Sequence, residues 1–355
     1  MEDRKQGLDL LRAIAIILVL FHHFDIVIDA TDLKKAWFYP IVMGGWVGVD
    51  LFFVLSGFLV SGLLIKEKIK YQQINYGRFL IRRLLKIYPA YYFFTIITFS
   101  FWYISGVKKL PISNVLGELF FIQNYTGSLW RHTWSLAVEE HFYLFLCLIM
   151  PWLIQTKKTM LTRGLIAYFS LATLCFVFRY AMFPRVDFIP LLHQFPTHLR
   201  IDSLMLGVLL QICFHSLPNF TSRLSTNRSQ IMLLLLGSSC ILPVFFCQTS
   251  SSWISLWGFN LFAIGAACLV CSAISWKTNS AMNWLSMIGK YSYSIYLWHM
   301  VAGGWITSRL VVNVQSLEVK LAIYFAISIA MGFVAAKFIE FPFLLFRDKR
   351  FPSAN

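Results

Sequence analysis

The chain alternates between long apolar runs and short polar segments. Each apolar run has about 20 residues, the length that an α-helix needs to cross a hydrocarbon core of roughly 30 Å. The pattern predicts an all-α polytopic membrane protein with ten spans, at residues 8–28, 44–65, 86–106, 133–154, 163–183, 197–216, 230–248, 254–275, 287–309 and 318–345. Because ten is an even number, we expect both ends of the chain on the same side of the membrane.

The composition argues against a soluble globular protein. Hydrophobic residues make up 58% of the 355 positions and charged residues only 13%, whereas soluble domains have about 25% charged residues. No soluble domain, long linker, low-complexity tract or repeat interrupts the apolar pattern. Residues 1–355 are therefore expected to form a single membrane domain.

The formal net charge of +15 is concentrated in alternate polar segments. The most basic are KEKIKYQQINYGRFLIRRLLK at 66–86 and RDKR at 347–350. Cytoplasmic loops carry an excess of Lys and Arg, so this alternation predicts that both termini are cytoplasmic. The basic residues do not form an aromatic-interleaved soluble platform, so nucleic acid is not an expected partner.

Two further features limit the chemistry. The seven cysteines lie in or beside apolar runs without metal-ligand spacing, so we expect no metal site and no permanently bound cofactor. The segment 107–132 is more polar than a span and is expected to lie at the outer surface or partly re-enter the membrane.

The first span, GLDLLRAIAIILVLFHHFD at 7–25, carries charged and imidazole side chains near both ends. Eleven residues of α-helix turn about 1100°, so Arg12 and His23 lie on one face about 16 Å apart, whereas His22 points about 100° away. Ionisable groups at membrane depth usually mark a functional path, which favours a chemical role for His23. The alternative is that Arg12 reaches the cytoplasmic surface and the histidines lie at the outer interface.

The stretch HTWSLAVEEHFYLF at 132–145 brings two carboxylates into the fourth span, with Trp134 and Tyr143 nearby. Glu139 is expected about 10 Å below the outer surface, at a depth similar to that of His23. A carboxylate at that depth can orient the imidazole and stabilise the imidazolium formed when the ring takes a proton. We expect either Glu139 or Glu140 to do so and the other to be solvated in an outer vestibule. The spacing does not distinguish them.

The stretch GRFLIRRLLKIYP at 77–89 clusters Arg78, Arg82, Arg83 and Lys86 at the cytoplasmic entry of the third span. Several guanidinium groups at one point suit a polyphosphate group. The alternative is simple anchoring of the helix by the positive-inside rule.

Other polar side chains within apolar runs are expected to form internal pairs that hold helices together. These supporting residues are Asp50, Arg200, Asp202, His299 and Glu340. The span that contains Asp50 also carries small residues, which favour close helix packing: they are Ser56, Gly57, Ser61 and Gly62.

In this order, several stretches between residues 8 and 342 resemble the integral-membrane acyltransferase-3 family of bacterial surface-modifying enzymes. They read LDLLRAIAIILVLFHH, GVDLFFVLSGFLVSGLL, RRLLKIYPAYY, WSLAVEEHFYLF, LRIDSLMLGVL, GKYSYSIYLWH and IEFP. The family's first-span signature is a basic residue, ten positions and then His, which corresponds to Arg12 and His23. The resemblance implies about ten spans in the bacterial inner membrane and an acyl-CoA donor bound from the cytoplasm. It also implies that Arg12, Arg82 and Arg83 contact this donor.

The resemblance further implies transfer of an acetyl group from acetyl-CoA to a hydroxyl of an exported or lipid-linked carbohydrate, such as lipopolysaccharide O-antigen. His23 would be the general base and a Glu139 or Glu140 carboxylate would orient it; an acetyl-histidine relay is an alternative route. Some family members carry a periplasmic hydrolase-like domain after the membrane core, and none is expected here because the chain ends at Asn355. Two other functions stay open: an acyltransferase acting on a small molecule such as a macrolide, and a transporter or flippase.

Overall fold

The computed structural model describes residues 6–106, 111–183, 188–276 and 280–352. Within these ranges the chain is a bundle of helices without a β-strand, and eight helices are long and apolar enough to cross a membrane. One shorter apolar helix, Ile201–Ser216, and the buried helix Ser292–Val301 complete a series of ten that we label α1 to α10. They are α1 Gln6–Ile26, α2 Val47–Tyr71, α3 Tyr76–Ser105, α4 Trp134–Leu153, α5 Lys157–Met182, α6 Ile201–Ser216, α7 Asn227–Phe245, α8 Ile254–Ala273, α9 Ser292–Val301 and α10 Leu317–Arg350.

The all-α polytopic class predicted from the sequence is confirmed. The two short members, α6 and α9, occupy the predicted spans 197–216 and 287–309 but begin later than predicted. A 3-10 turn at Thr197–Leu199 precedes α6, and a break at Tyr291 separates α9 from the helix Ser280–Lys290. Beyond its last residue, α9 is extended by a π-helical turn, Ala302–Thr307, and by Ser308–Leu310.

The remaining helices are short and connect the long ones. They are Ala30–Leu33, Tyr39–Gly44, Ile112–Leu119, Gln123–Thr126, Pro190–His193 and Phe220–Leu224, together with Ser280–Lys290, which packs along α1.

Local sequence explains where several long helices begin and end. The Asn75 side chain accepts a hydrogen bond from the Arg78 backbone N–H at 2.8 Å, and the Thr156 hydroxyl accepts one from Thr159 N–H at 3.3 Å. Such caps satisfy N–H groups that have no partner in the first helical turn, so α3 and α5 begin directly after the capping residues Asn75 and Thr156. α3 ends at Ser105, because the following Gly106 has a φ of 61°, which the right-handed helix does not allow.

The centre of the bundle is formed by α1, α2 and α8. Within the apolar stretch of each of these helices, 67%, 78% and 61% of the residues are buried, respectively. The corresponding fraction is only 17% in α5 and in α7, which lie at the periphery. At the crossing of α2 and α6, a Cβ atom on Gly57 would lie 1.9 Å from the Leu204 carbonyl oxygen, and one on Gly207 would lie 2.2 Å from the Val54 oxygen. The close packing predicted for the small residues of this span is therefore confirmed at Gly57.

The start of α1, the α2–α3 connection and the end of α10 lie at one end of the bundle, where their side chains line a common cavity. We call this end the basic face. Both ends of the described chain thus lie on the same side, as the even number of spans predicts. That this side is cytoplasmic stays a prediction from the charge pattern.

Candidate active site

A cavity of about 890 Å³ opens at the basic face and extends between α1, α2, α3, α4, α9 and α10. Its wall carries more basic than acidic side chains. The seven basic ones are Arg12, Arg78, Arg82, Arg83, Lys86, Lys290 and Arg347, and the four acidic ones are Glu67, Glu139, Glu340 and Asp348. The wall is therefore suited to a polyanionic ligand.

The predicted arginines lie in the cavity wall. Arg82 donates to the Asp348 carboxylate at 3.0 Å and to the Phe351 carbonyl, both near the end of α10. The Arg83 guanidinium lies 5.4 Å from the centre of the Tyr143 ring. Arg12 lies 3.3 Å from Asp9 and also lines the cavity. Simple anchoring of α3 does not account for guanidinium groups that face a cavity, but a donor-binding role stays a prediction.

Two basic residues of the wall were not singled out from the sequence. Lys290 precedes α9, and Arg347 lies in the last turn of α10 beside Asp348. Both belong to segments that the charge pattern marks only as basic loops, so nothing in the sequence distinguishes them from residues that anchor a helix.

Deeper in the cavity, Glu139 accepts a hydrogen bond from the Tyr143 hydroxyl at 2.7 Å. The Ser56 hydroxyl lies 2.8 Å from Tyr143 and 3.4 Å from Glu139. Glu140 is buried but does not belong to the cavity lining of the described chain, and its Oε1 has no hydrogen-bond partner there. Of the two carboxylates, Glu139 is thus the one that a ligand in the cavity can contact.

The deep end of the cavity is closed by Ser135 and Tyr296. The Tyr296 hydroxyl donates to the His132 carbonyl oxygen at 2.7 Å, so Ser135, whose hydroxyl is 2.6 Å away, donates to Tyr296. We call this pair the roof. It separates the cavity from a group of imidazoles on its far side.

That group, the histidine cluster, consists of His23, His132 and His299, all of which are buried. His299 Nε2 lies 3.1 Å from His23 Nδ1. The centre of the His132 ring lies 4.9 Å from that of His299 and 6.3 Å from that of His23. Within the described ranges, no group of three or more His, Cys, Asp or Glu side chains has the arrangement of a metal site.

His132 was missed by the sequence analysis because it precedes the fourth span. Both of its ring nitrogens are buried and have no hydrogen-bond partner among the described residues. Burial lowers the pKa of His132 well below its usual range, so the ring is neutral. A neutral, unpaired imidazole beside His23 is a polar surface that a ligand can use.

A buried carboxylate holds the segment that carries His132. Glu118 accepts hydrogen bonds from Leu129 N–H and from the Thr133 hydroxyl, both at 2.8 Å, and from the Tyr91 hydroxyl. The predicted polar segment 107–132 therefore includes a folded part that positions His132, while residues 107–110 lie outside the described residues.

The predicted pairing of His23 with Glu139 or Glu140 is wrong. In the described chain the polar contacts of the His23 ring are the Val19 carbonyl oxygen at 3.2 Å and His299. The prediction assumed that groups at similar depth in the membrane are in contact. At this level α1 and α4 are not direct partners, because Tyr296 and His299 of α9 lie between them and make the contacts. The relative placement of Arg12 and His23 agrees with the helical phase: Arg12 lines the cavity and His23 lies beyond its deep end.

The supporting polar residues mostly form a separate buried network. Arg200 and Asp50 form an ion pair at 2.6 Å with both side chains inaccessible, and Arg179 pairs with Asp202 at 2.5 Å. The Arg200 guanidinium also lies 5.6 Å from the Trp134 ring centre. These residues join α2, α4, α5 and α6 and do not line the cavity, which suits the predicted structural role.

Glu340 and His299 belong to the site instead. Glu340 lines the cavity and accepts a hydrogen bond from the Ser294 hydroxyl at 2.6 Å. His299, expected only as an internal polar partner, is a member of the histidine cluster.

Comparison with known proteins gives a consistent result. A family model described as an acyltransferase domain matches residues 5–339. A provisionally named O-acetyltransferase of Staphylococcus aureus (strain COL) is 29% identical over 380 aligned positions, which cover 95% of this chain and 57% of the relative. O-acetyltransferase OatA of Staphylococcus aureus (strain NCTC 8325 / PS 47) is 26% identical over 373 positions, which cover 95% of this chain and 56% of that protein. The chain thus spans a little over half the length of these curated relatives. No solved structure matches.

Proposed function

The chain belongs to the acyltransferase domain family, and on this basis we propose that it is a membrane O-acetyltransferase that moves an acetyl group from acetyl-CoA to a hydroxyl of a cell-surface carbohydrate. The observation that carries the proposal is the cavity, which runs from a basic face to a roof that adjoins three histidines. Acyl transfer from coenzyme A requires a cavity opening that binds phosphate groups and a far end with a group that accepts a proton. We call the opening at the basic face the mouth.

The mouth of the cavity supports acetyl-CoA as the donor. Coenzyme A carries a diphosphate and a further phosphate at one end and the thioester at the other. Four of the seven basic side chains lie on one stretch of α3, from Arg78 to Lys86, a distance of about 12 Å along the helix axis. The phosphates would bind there while the thioester reaches inward towards Glu139, Ser56 and the roof.

The histidine cluster supports a general-base role for His23. In direct transfer the imidazole accepts the proton of the acceptor hydroxyl while the hydroxyl oxygen forms a bond to the thioester carbonyl carbon. The carbon–sulfur bond then breaks, and the coenzyme A thiolate takes the proton from the imidazolium. The products are the O-acetyl ester and coenzyme A.

An acetyl-histidine relay uses the same residues in two steps. The roof lies between cavity and cluster, so Tyr296 and Ser135 must shift for the thioester to reach His23. The lone-pair nitrogen of His23 would form a bond to the thioester carbonyl carbon while the carbon–sulfur bond breaks, and the coenzyme A thiolate would leave with the proton of the other ring nitrogen. The acceptor hydroxyl oxygen would then form a bond to the acetyl carbon while the nitrogen–carbon bond breaks, and the hydroxyl proton would return to the imidazole. In both routes Glu139, through its contact with Tyr143 and Ser56, would orient polar groups beside the thioester.

The acceptor is proposed to approach from the side opposite the basic face. If the basic face is cytoplasmic, the histidine cluster lies in the outer half of the membrane, where an exported or lipid-linked carbohydrate is accessible. We propose lipopolysaccharide O-antigen as the instance to test first and the bacterial inner membrane as the location. The O-acetyltransferase names of the relatives support a hydroxyl acceptor.

The test measures both the donor and the product. Purified protein in liposomes is given acetyl-CoA with and without candidate carbohydrates, and release of the coenzyme A thiol is followed together with labelled acetyl groups. Surface polysaccharides of cells with and without the protein are compared by mass spectrometry and NMR. We expect O-acetyl groups to disappear in cells that lack the protein or carry His23→Asn.

Three results would contradict the proposal as stated. Unchanged O-acetylation of every surface polysaccharide, with no acetyl-CoA turnover, would exclude this activity. Movement of a glycan across the liposome membrane without release of coenzyme A would identify a flippase, and acetylation of a macrolide alone would restrict the acceptor to small molecules.

A further inference from the structure

His299 is fully buried and is held by two polar contacts. Its Nδ1 lies 2.6 Å from the Tyr296 carbonyl oxygen, and its Nε2 lies 3.1 Å from His23 Nδ1. No carboxylate contacts the His299 ring within the described chain, and an unpaired charge in such a place is very unfavourable. His299 is therefore a neutral imidazole with one N–H and one lone pair.

The carbonyl oxygen decides which nitrogen of His299 carries the proton. An oxygen of this kind only accepts hydrogen bonds, so His299 Nδ1 carries the N–H and donates to Tyr296. The lone pair is then on His299 Nε2, which can only accept. Its partner at 3.1 Å, His23 Nδ1, must be the donor.

The second contact of His23 requires the same tautomer. His23 Nδ1 also lies 3.2 Å from the Val19 carbonyl oxygen, another group that only accepts. Two acceptors thus converge on one nitrogen, and the proton of the neutral His23 ring must be there. His23 Nε2 is left with a lone pair and has no hydrogen-bond partner among the described residues.

We infer that His299 is a positioning residue that holds His23 in the Nδ1–H tautomer and so presents Nε2 as the nitrogen that accepts the proton, an inference that rests on the proposed function for its catalytic meaning. The N–H of His23 keeps its acceptor when Nε2 gains a proton, so the ring does not need to turn during the transfer. His299 takes the place that the sequence analysis assigned to Glu139 or Glu140, as a neutral acceptor instead of a carboxylate.

The tautomer can be read without any enzymatic assay. In protein labelled with ¹⁵N-histidine, the signals of His23 and His299 are assigned by their loss in single variants. We expect His23 to be protonated on Nδ1, His299 to be unprotonated on Nε2, and a ¹⁵N–¹⁵N coupling to join these two nitrogens. In His299→Leu only the Val19 oxygen remains as an acceptor for His23 Nδ1–H, so we expect the ¹⁵N–¹⁵N coupling to disappear and the Nδ1–H tautomer, now held by one contact instead of two, to fall in population without being lost.

Kinetics provide the second readout. For histidines that bind a metal, loss of the group that orients the ring through its other nitrogen lowers activity by roughly 10- to 100-fold, and we use the same range for His23. We expect His299→Leu to lower kcat in this range with little change in KM for acetyl-CoA, because His299 does not line the cavity. His299→Gln keeps an acceptor directed at His23 and is expected to recover part of the loss. His215→Leu makes the same substitution on α6, at a half-buried site outside the histidine cluster, and serves as the matched control.

A wild-type protein whose His23 is protonated on Nε2 would overturn the inference, and so would a correctly inserted His299→Leu protein with wild-type kcat. If His299→Leu does not insert, the wild-type spectrum still decides the tautomer. Failure of the proposed function is a separate result: the Nδ1–H tautomer and the coupling would be present in a protein that transfers no acetyl group.

Discussion

His22 and His23 are adjacent in the chain but lie in different surroundings. His22 is half-buried and its Nδ1 lies 2.9 Å from the Val42 carbonyl oxygen, which ties it to the short helix Tyr39–Gly44. His23 is buried in the histidine cluster with one nitrogen left for chemistry. The helical phase of the first span predicts the same distinction, because His22 turns away from the face that carries Arg12.

We predict that His23→Ala abolishes acyl transfer while His22→Ala leaves much of it. Proton transfer by a positioned imidazole contributes roughly 10² to 10⁴-fold, so its loss is measurable in a transfer assay. His23→Asn is the sharper variant because it keeps a polar side chain but cannot accept a proton near neutral pH. Near-normal activity of His23→Asn, or a larger effect of His22→Ala, would show that the general base lies elsewhere.

The arginines of the mouth differ in their partners, which affects how a donor can bind. Arg82 contacts Asp348 and the Phe351 carbonyl, whereas Arg83 lies against the Tyr143 ring. A phosphate that binds Arg82 must therefore compete with the Asp348 carboxylate. Whether the end of α10 keeps its contacts with Arg82 thus influences the affinity of the cavity for an anionic donor.

We predict that Arg82→Ala with Arg83→Ala weakens donor binding more than it slows chemistry at saturating donor. A hydrogen bond to a charged group contributes about 1.5 to 3 kcal/mol, so the apparent KM for acetyl-CoA is expected to rise by roughly tenfold or more. Initial rates over a range of acetyl-CoA concentrations measure both parameters.

Asp348→Asn is the matched variant with the opposite sign. Because Asp348 is half exposed and screened, its removal is expected to lower the KM by no more than about fivefold. An unchanged KM in a correctly inserted double arginine variant would return Arg82 and Arg83 to the role of membrane anchors.

At the scale of secondary-structure elements, the crossing of α2 and α6 is one of the closest helix approaches in the described chain. Gly57 and Gly207 face each other there, and a Cβ atom on either would meet a backbone carbonyl of the other helix. α2 also carries Ser56 of the cavity and Asp50 of the ion-pair network. A shift of this helix therefore changes both the cavity and the buried ion pairs.

We predict that Gly57→Ala destabilises the protein by about 1 to 3 kcal/mol, the usual range for overpacking. The thermal unfolding midpoint in detergent measures the change. Gly77→Ala is the control, since the nearest atom to its Cβ would be Asn75 Oδ1 at 3.5 Å and alanine is the better helix former. A Gly57→Ala protein as stable as the Gly77→Ala protein would mean that α2 and α6 separate at little cost.

At the scale of the whole molecule, side chains from the start of α1 and from the end of α10 line one cavity at the basic face. The end of α7 packs against the short helix Tyr39–Gly44, which follows the far end of α1, so the connection that contains Ser252 lies towards the end opposite the basic face. The positive-inside rule assigns the basic face to the cytoplasm.

We predict that topology reporters fused at Ser252 and Asn355 report opposite sides of the membrane, with Asn355 in the cytoplasm. Paired reporters, one active outside and one active inside, measure this in cells. Fusions that report the same side would require a different number of spans, and an inverted result would place the cavity mouth away from cytoplasmic acetyl-CoA.

The sequence analysis predicted the fold better than the site. The 3-10 turn before α6 and the chain break at Tyr291 before α9 account for the late starts of these helices, which apolar periodicity does not reveal. His132 escaped notice because it lies outside a span, and the His23 partner was misassigned because depth was used in place of contact. The sequence analysis placed three arginines at one end of the bundle, where the structure also has them: Arg12, Arg82 and Arg83. Helical geometry determines which residues share a face and an end, so this placement follows from the sequence.

The sequence by itself determined the helical membrane class, the approximate spans and the common face of Arg12 and His23. These follow from interactions within a few residues along the chain and from the length needed to cross the bilayer. Only the tertiary structure decided that His299, 276 positions from His23, approaches it to 3.1 Å, and that Lys290 and Arg347 join α3 at one cavity. Such contacts depend on which helix surfaces fit together, at Gly57 and Gly207 for example, and that complementarity is a property of distant segments taken together.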